Sequence, residues 1–152
     1  MTSNGKDTVA ECLNLPSRLP DLARVPEWIE RLAAQYSIPA STQFAMNLCL
    51  EEVLSNIIRH GYSSKPDQSI TIHFSSPREN FFVFTVEDHA PAFNPVVSAV
   101  PPVLSAINEN PIGGQGIRLL RQFADALEYQ PTSTGNRLSI GFSTAHSISA
   151  KE

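Results

Sequence analysis

The most extended hydrophobic pattern in the chain runs over residues 44–62 and predicts a helix. Its first half is apolar on nearly every side, which favours a helix buried inside the domain. Its second half keeps one apolar stripe at helical spacing, made of Leu50, Val53, Leu54 and Ile57. The opposite side turns polar and presents Glu52, Asn56, Arg59 and His60 on one face. This polar face either emerges into solvent or lines a cavity, and the helix alone leaves both possibilities open.

Shorter patterns on both sides of this helix predict the other elements. Spacing of three to four residues over 21–38 predicts a first helix, with Pro26 in its first turn. Ser41 or Thr42 is the expected N-cap of the central helix. A further amphipathic helix is predicted over 117–127. Alternation predicts strands over 8–15, 69–75, 81–86, 127–130 and 136–143, of which the first is an edge strand.

The order of these elements, with short turns between several strands, indicates an α+β fold. We expect a two-layer α/β sandwich, in which helices cover one face of a mixed, mostly antiparallel sheet. The 152 residues suit a single domain, which we place at 8–145 with tails at 1–7 and 146–152. Residues 89–114 contain five prolines between two ordered patterns, and this composition favours a lid over a disordered linker.

Composition excludes several classes of protein. A net charge of −4 argues against a nucleic-acid surface. The chain begins with no apolar signal core and has no transmembrane run, so we expect a cytoplasmic protein that is not membrane-bound. Cys12 and Cys49 have no zinc-site spacing, and Cys49 is interpreted as a small hydrophobic residue of the central helix.

Three polar places could carry chemistry: the column on the central helix, Asp88 at the end of an apolar strand, and the glycine turn 113–116 that opens a helix. Backbone N–H groups at such a turn suit phosphate, although glycine before a helix is more often only a turn. The amide oxygen of Asn56 can ligate Mg²⁺, which is completed by water and phosphate oxygens. Glu52, one turn earlier, is placed to accept a proton. Its structural alternative is an ion pair with Arg59.

Other phosphate chemistries lack their motifs. The chain has no GxxxxGK[ST] loop, no set of eukaryote-type protein kinase motifs and no GxSxG elbow. A nucleotide would therefore be bound by a different design.

Three segments together resemble the GHKL, or Bergerat-fold, ATPases. They are E-x-x-x-N ahead of HGY (residues 52–62), VEDHAPAFNP (86–95) and GGQGIRLL (113–120). Within that family the chain is most similar to the stand-alone anti-sigma-factor serine/threonine kinases. The resemblance covers almost the whole chain and implies the histidine-kinase-like ATPase fold, with ATP and Mg²⁺ as cofactors.

The resemblance implies a role for each matching residue. Glu52 matches the catalytic base and Asn56 the amide that coordinates Mg²⁺, while Arg59 and His60 flank the nucleotide. Asp88 matches the carboxylate that binds the adenine amino group. The remaining positions match the segment beside the adenine and the phosphate-cradling turn, and they are Ala92, Phe93, Gly113, Gly114, Gln115, Gly116 and Ile117.

The chain departs from the family pattern at Ala90 and Ala92, where glycine is usual. The resemblance implies a homodimeric kinase that phosphorylates a Ser or Thr of an STAS-type anti-anti-sigma antagonist and binds a sigma factor or another target. One alternative is a nucleotide-gated binding module without significant kinase activity. Another is the ATP-binding domain of a split histidine kinase, which the lack of a dimerising helix with an acceptor histidine disfavours.

Overall fold

Five antiparallel strands form the sheet of this protein. The structure is a computed structural model that describes residues 10–92 and 119–144. The strands are β1 (Glu11–Pro16), β2 (Ser69–Arg78), β3 (Phe81–Asp88), β4 (Ala126–Pro131) and β5 (Asn136–Ser143). Their order in the sheet is β1-β2-β3-β5-β4, and all four pairings are antiparallel. The strand β1 lies at an edge, as the sequence predicts.

Helices cover one face of this sheet. A 3₁₀ turn (Leu19–Ala23) leads into α1 (Arg24–Tyr36), and the central helix is α2 (Ala40–Asn56). A π-helical turn (Ile57–Gly61) continues α2, and residues 119–123 are also helical. No helix in the described ranges is both long and apolar enough to cross a membrane.

The core lies between the two layers because each strand alternates. Along β2, Ile70, Ile72 and Phe74 are fully buried, whereas Thr71 and His73 between them are only half-buried. Side chains of α1 pack onto this apolar face: the Trp28 ring meets Phe84 edge-on at 5.7 Å, and Tyr36 contacts Phe74 at 5.1 Å between ring centroids. The α+β class, with two layers and helices on one face, is thus confirmed.

Local details differ from the sequence prediction in three places. The helix α2 begins at Ala40 with Pro39 as its N-cap, so the prediction of a Ser41 or Thr42 cap is wrong. Proline fits this position because it supplies an extended backbone and the helix needs no N–H from it. The last predicted helix ends at residue 123 rather than at Leu127, because Leu127 pairs with Ile140 inside the sheet. Phe44 is 61% exposed rather than buried, and its ring rests edge-on against Phe123.

The predicted lid and the single-domain boundaries remain predictions, since most of the lid and the chain ends lie outside the described residues. The predicted tails, 1–7 and 146–152, fall there as well.

Tyr62 links three segments of the fold through two hydrogen bonds of its hydroxyl group. Tyr62, the residue after the π turn, donates its hydroxyl to the Ser69 carbonyl at 2.8 Å. The same hydroxyl accepts the His89 N–H at 2.6 Å. Tyr62 therefore links the end of α2 to the start of β2 and to the segment after β3, and it is 95% buried, with 5% of its surface exposed.

Removing this hydroxyl leaves two backbone groups without their partner. We expect Tyr62→Phe to lower the free energy of unfolding by about 1–3 kcal/mol, measured by urea denaturation. Tyr36→Phe is the matched control, because the Tyr36 hydroxyl makes no hydrogen bond with any described residue. Equal losses in the two variants would contradict the linking role of Tyr62.

Candidate functional site

The polar side of α2 faces a hollow of about 600 Å³. Glu52, Asn56 and Arg59 line it from the helix, together with Glu51 and Ser55. The 3₁₀ turn and the start of α1 form the opposite wall, which is apolar and is made of Leu19, Pro20, Leu22, Ala23 and Pro26. The polar face of α2 therefore lines a cavity, and this decides between the two possibilities left open by the sequence.

The polar groups of this hollow are available to a ligand. Glu52 and Asn56 are half-buried and Arg59 is exposed. Within residues 10–92 and 119–144, none of the three side chains forms a hydrogen bond or a salt bridge. The alternative of an ion pair between Glu52 and Arg59 is therefore not observed. A carboxylate, an amide and a guanidinium that are left unpaired in one hollow can bind a polar ligand.

The apolar side of α2 holds these groups in place. Met46, Cys49, Leu50 and Leu54 are fully buried against the sheet, so the helix cannot rotate without exposing them. Burial raises the pKa of the Cys49 thiol to about 12, with the charge of Glu52 adding to the effect. The thiol therefore stays protonated and serves as packing, which agrees with its interpretation as a small hydrophobic residue.

Arg59 lines the hollow, whereas His60 is not among its lining residues. Both residues lie in the π turn, a widened helical turn that is common at functional sites. The structure therefore brings three of the four residues of the polar column together and leaves His60 exposed beside them.

Asp88 is a buried carboxylate at the end of β3, with 5% of its surface exposed. Its Oδ1 accepts two hydrogen bonds, from the Ala90 backbone N–H at 2.8 Å and from the Asn136 side-chain amide at 2.9 Å. No described residue donates to Oδ2, so that oxygen keeps its accepting capacity for a ligand. Such a carboxylate selects a ligand that carries a hydrogen-bond donor.

Burial raises the pKa of Asp88 because it disfavours the charged form, while the bonds from Asn136 and Ala90 act in the opposite direction. Burial of a charge without a saturated set of partners is costly and is typical of functional sites.

Ala90 fits the position where the family pattern has glycine. Ala90 is buried and has no positive φ, so a side chain causes no backbone strain there. The space for its methyl group comes from Gly61, because a Cβ built on Gly61 would lie 3.1 Å from the Ala90 Cβ. The Ala90 methyl group thus packs against Gly61, and the fold accommodates alanine at this position. Ala92 is exposed.

The contact of Gly61 with Ala90 and the bond of Tyr62 to His89 join the end of α2 to the Asp88 segment. Asp88 itself is not part of the lining of the hollow. The other predicted site residues lie outside the described part of the chain, namely Phe93, Gly113, Gly114, Gln115, Gly116 and Ile117. The end of α2 therefore contacts the segment after Asp88, and the convergence of the three predicted polar places on one ligand stays a prediction.

The possible metal-ligating side chains of the hollow suit Mg²⁺ better than a metal whose ligands must all come from the protein. No cluster of three or more His, Cys, Asp or Glu side chains with metal-binding geometry occurs in the ranges described above. One amide oxygen, from Asn56, fits an ion that keeps most of its waters and is completed by phosphate.

Sequence reasoning assigned no role to Tyr62, Tyr129 or Asn136. Asn136 opens β5 directly opposite Asp88. This register identifies Asn136 as a neighbour of Asp88. It is known only once β3 is paired with β5, more than forty residues further along the chain.

Comparison with known proteins agrees with this fold. The family model of the histidine kinase-like ATPase domain matches residues 15–142, and the chain therefore belongs to that family. The chain is 29% identical over 120 residues to the serine/threonine-protein kinase BtrW of Bordetella bronchiseptica, which corresponds to 79% of this chain and 82% of BtrW.

Solved structures show the same fold. The histidine kinase domain of the blue-light activated histidine kinase from Erythrobacter litoralis EL346 superposes with a TM-score of 0.52 at 19% identity. The alignment covers 89% of this chain and 64% of that domain. A second structure, of the same histidine kinase, gives a TM-score of 0.55 at 19% identity and covers 89% of this chain and 44% of that one.

The buried charge of Asp88 predicts a pH-dependent stability difference. The folded pKa of Asp88 lies above its ordinary value of 3.8, so ionisation destabilises the fold as pH rises through that interval. Asp88→Asn removes the charge and keeps an oxygen to accept both bonds. We expect its unfolding free energy relative to wild type to increase as pH rises above 3.8 and to level off once Asp88 is ionised in the folded protein, measured by urea denaturation.

Asp67→Asn is the control, since Asp67 lies in an exposed turn. A stability of Asp88→Asn that falls relative to wild type as pH rises would show that the partners of Asp88 outweigh its burial.

Proposed function

We propose that this protein is an ATP-dependent serine/threonine protein kinase that uses Mg²⁺. The observation that carries the proposal is the hollow lined by Glu52, Asn56 and Arg59, whose side chains have no hydrogen-bond or salt-bridge partner among the described residues. Membership of the histidine kinase-like ATPase family supports ATP as the ligand, and the similarity to BtrW supports a Ser/Thr kinase activity.

Each described residue then has a chemical task. The open Oδ2 of Asp88 accepts a hydrogen bond from the adenine amino group. The Asn56 amide oxygen would hold Mg²⁺, which neutralises charge on the phosphate oxygens when bound. Arg59 lies on the same side of the helix and supplies positive charge to the phosphates.

Glu52 acts as the general base. The acceptor hydroxyl oxygen forms a bond to the γ-phosphorus while the bond from that phosphorus to the bridging oxygen breaks, and ADP leaves. The proton of the hydroxyl goes to the Glu52 carboxylate. The apolar wall opposite Glu52 limits access of water, which would otherwise compete with the hydroxyl.

The resemblance to the anti-sigma-factor kinases supports a more specific role. The acceptor is then an STAS-type anti-anti-sigma antagonist, the kinase also binds a sigma factor or another target, and it acts as a homodimer in the cytoplasm. Phosphorylation of the antagonist would determine which partner the kinase holds.

The Mg²⁺ role of Asn56 can be tested by calorimetry with ADP, with and without Mg²⁺. We expect Asn56→Ala to weaken ADP binding about tenfold when Mg²⁺ is present, as for the loss of one contact to a charged group, and to leave binding in EDTA close to wild type. Equal weakening in both conditions would assign Asn56 to the nucleotide or the fold instead of the metal.

The base role of Glu52 separates a kinase from a nucleotide-gated binding module. We expect Glu52→Gln to reduce phosphate transfer from labelled ATP to a purified STAS-domain antagonist by about 10²–10⁴-fold, while ATP binding persists. Glu30→Gln, an equal charge change on the exposed side of α1, is the control. If wild type binds ATP and phosphorylates none of the STAS antagonists, the binding module is the better description.

A further inference from the structure

Asn136 makes an unusual number of contacts for one side-chain amide. Its Nδ2 lies 2.9 Å from Oδ1 of Asp88 and 3.2 Å from each of the backbone carbonyl oxygens of Ala90 and Pro91. Asn136 is 93% buried, with 7% of its surface exposed. One amide group therefore contacts the Asp88 carboxylate and also the backbone of two residues that follow β3.

Neighbouring residues fix the orientation of this amide. The Tyr129 hydroxyl on β4 donates to the Asn136 Oδ1 at 2.5 Å, so a flipped amide would lose that bond and would present an oxygen to Asp88. Gly135 lets the backbone approach, because a Cβ there would lie 1.9 Å from the Asp88 carbonyl oxygen. The close approach of the turn before β5 thus places Asn136 in contact with Asp88.

The arrangement makes the two oxygens of Asp88 unequal. Oδ1 is occupied by Asn136 and by the Ala90 N–H, while Oδ2 has no donor among the described residues. We propose that Asn136 is a positioning residue for base recognition: its amide orients the Asp88 carboxylate so that Oδ2 alone faces the amino group of the ligand. This inference rests on the proposed function, since it specifies how the nucleotide site reads its base.

A residue that only stabilises the fold behaves differently from a positioning residue. It contributes to the free energy of unfolding whatever the charge state of Asp88. A positioning residue changes ligand affinity whenever it can no longer donate to Oδ1. The discriminating variant must therefore keep the shape of Asn136 and make its donor capacity depend on pH.

Asn136→Asp meets this requirement. The new carboxyl still accepts from Tyr129, and its second oxygen takes the place of Nδ2 beside Asp88 Oδ1. Two carboxylates within hydrogen-bonding distance repel each other when both are ionised, which favours a form in which they share one proton. With that proton, the new side chain donates to Asp88 as the amide does. Without it, the two groups repel and Oδ2 loses its orientation.

The experiment is calorimetric titration with ADP and Mg²⁺ between about pH 6 and about pH 9.5, with each affinity expressed relative to wild type at the same pH. We expect the ADP affinity of Asn136→Asp relative to wild type to fall by at least about tenfold as pH rises, since the shared proton is lost on raising the pH. The ratio to wild type removes the contribution of other titrating groups around Asp88, which are His89, Tyr62 and Tyr129.

Asn14→Asp is the matched control, because Asn14 lies on an exposed part of β1 and its side-chain oxygen accepts from Thr71, which a carboxylate also does. Its ADP affinity should follow wild type at every pH. A pH-independent ratio for Asn136→Asp would overturn the inference and leave the proposed function standing. Absence of ADP binding by wild type would remove both.

If Asn136→Asp fails to fold, Tyr129→Phe provides the same test through the orientation of the amide. We expect it to keep the fold, as judged by circular dichroism, and to weaken ADP binding about threefold or more, roughly the loss of one neutral hydrogen bond. Wild-type affinity in this variant would overturn the inference.

Discussion

A carboxylate buried at the end of β3 is the constraint on which the rest of the site depends. Placing the charge of Asp88 there costs free energy, because burial disfavours its ionised form. Two donors, from Asn136 and Ala90, reduce this cost at one oxygen and leave the other oxygen unpaired within the described chain. Under the proposed function, a donor of the ligand would offset the remaining cost, and stability and binding would then be linked at this residue.

The helix α2 has two different roles along its length. Its apolar residues are fully buried against the sheet and fix its position, whereas Glu52 and Asn56 face the hollow from the same helix. A rigid helix suits the roles proposed for Glu52 and Asn56, because helical geometry sets their separation. The π turn ends the helix at a position from which Gly61 and Tyr62 contact the segment after Asp88.

The replacement of a family glycine by Ala90 illustrates how a site can keep its geometry when a motif changes. A glycine is needed where two segments approach closely, and either segment can provide it. Here Gly61 provides the space and Ala90 occupies it. Gly135 plays the equivalent role on the other side, where the turn before β5 approaches the backbone at Asp88. A departure from a motif is therefore informative only together with the residue that faces it.

The sequence by itself determined the α+β class and the order of strands and helices, whereas the chemical roles of Glu52, Asn56 and Asp88 are predictions from a family resemblance. It could do so because hydrophobic period and residue type are local properties, and β5 was predicted with its observed bounds. The ends of the helices were harder to predict from the sequence. The Pro39 cap, the π turn and the entry of Leu127 into the sheet all depend on packing against distant strands.

Only the tertiary structure decided which polar groups meet. Asn136 reaches Asp88 because β5 pairs with β3 in one register, and a shift of one residue would turn its side chain to the other face. Tyr62 and Gly61 reach the same segment from α2 for the same reason. Contacts between residues far apart in the chain arise from burial and strand pairing together, and no local pattern in the sequence encodes them.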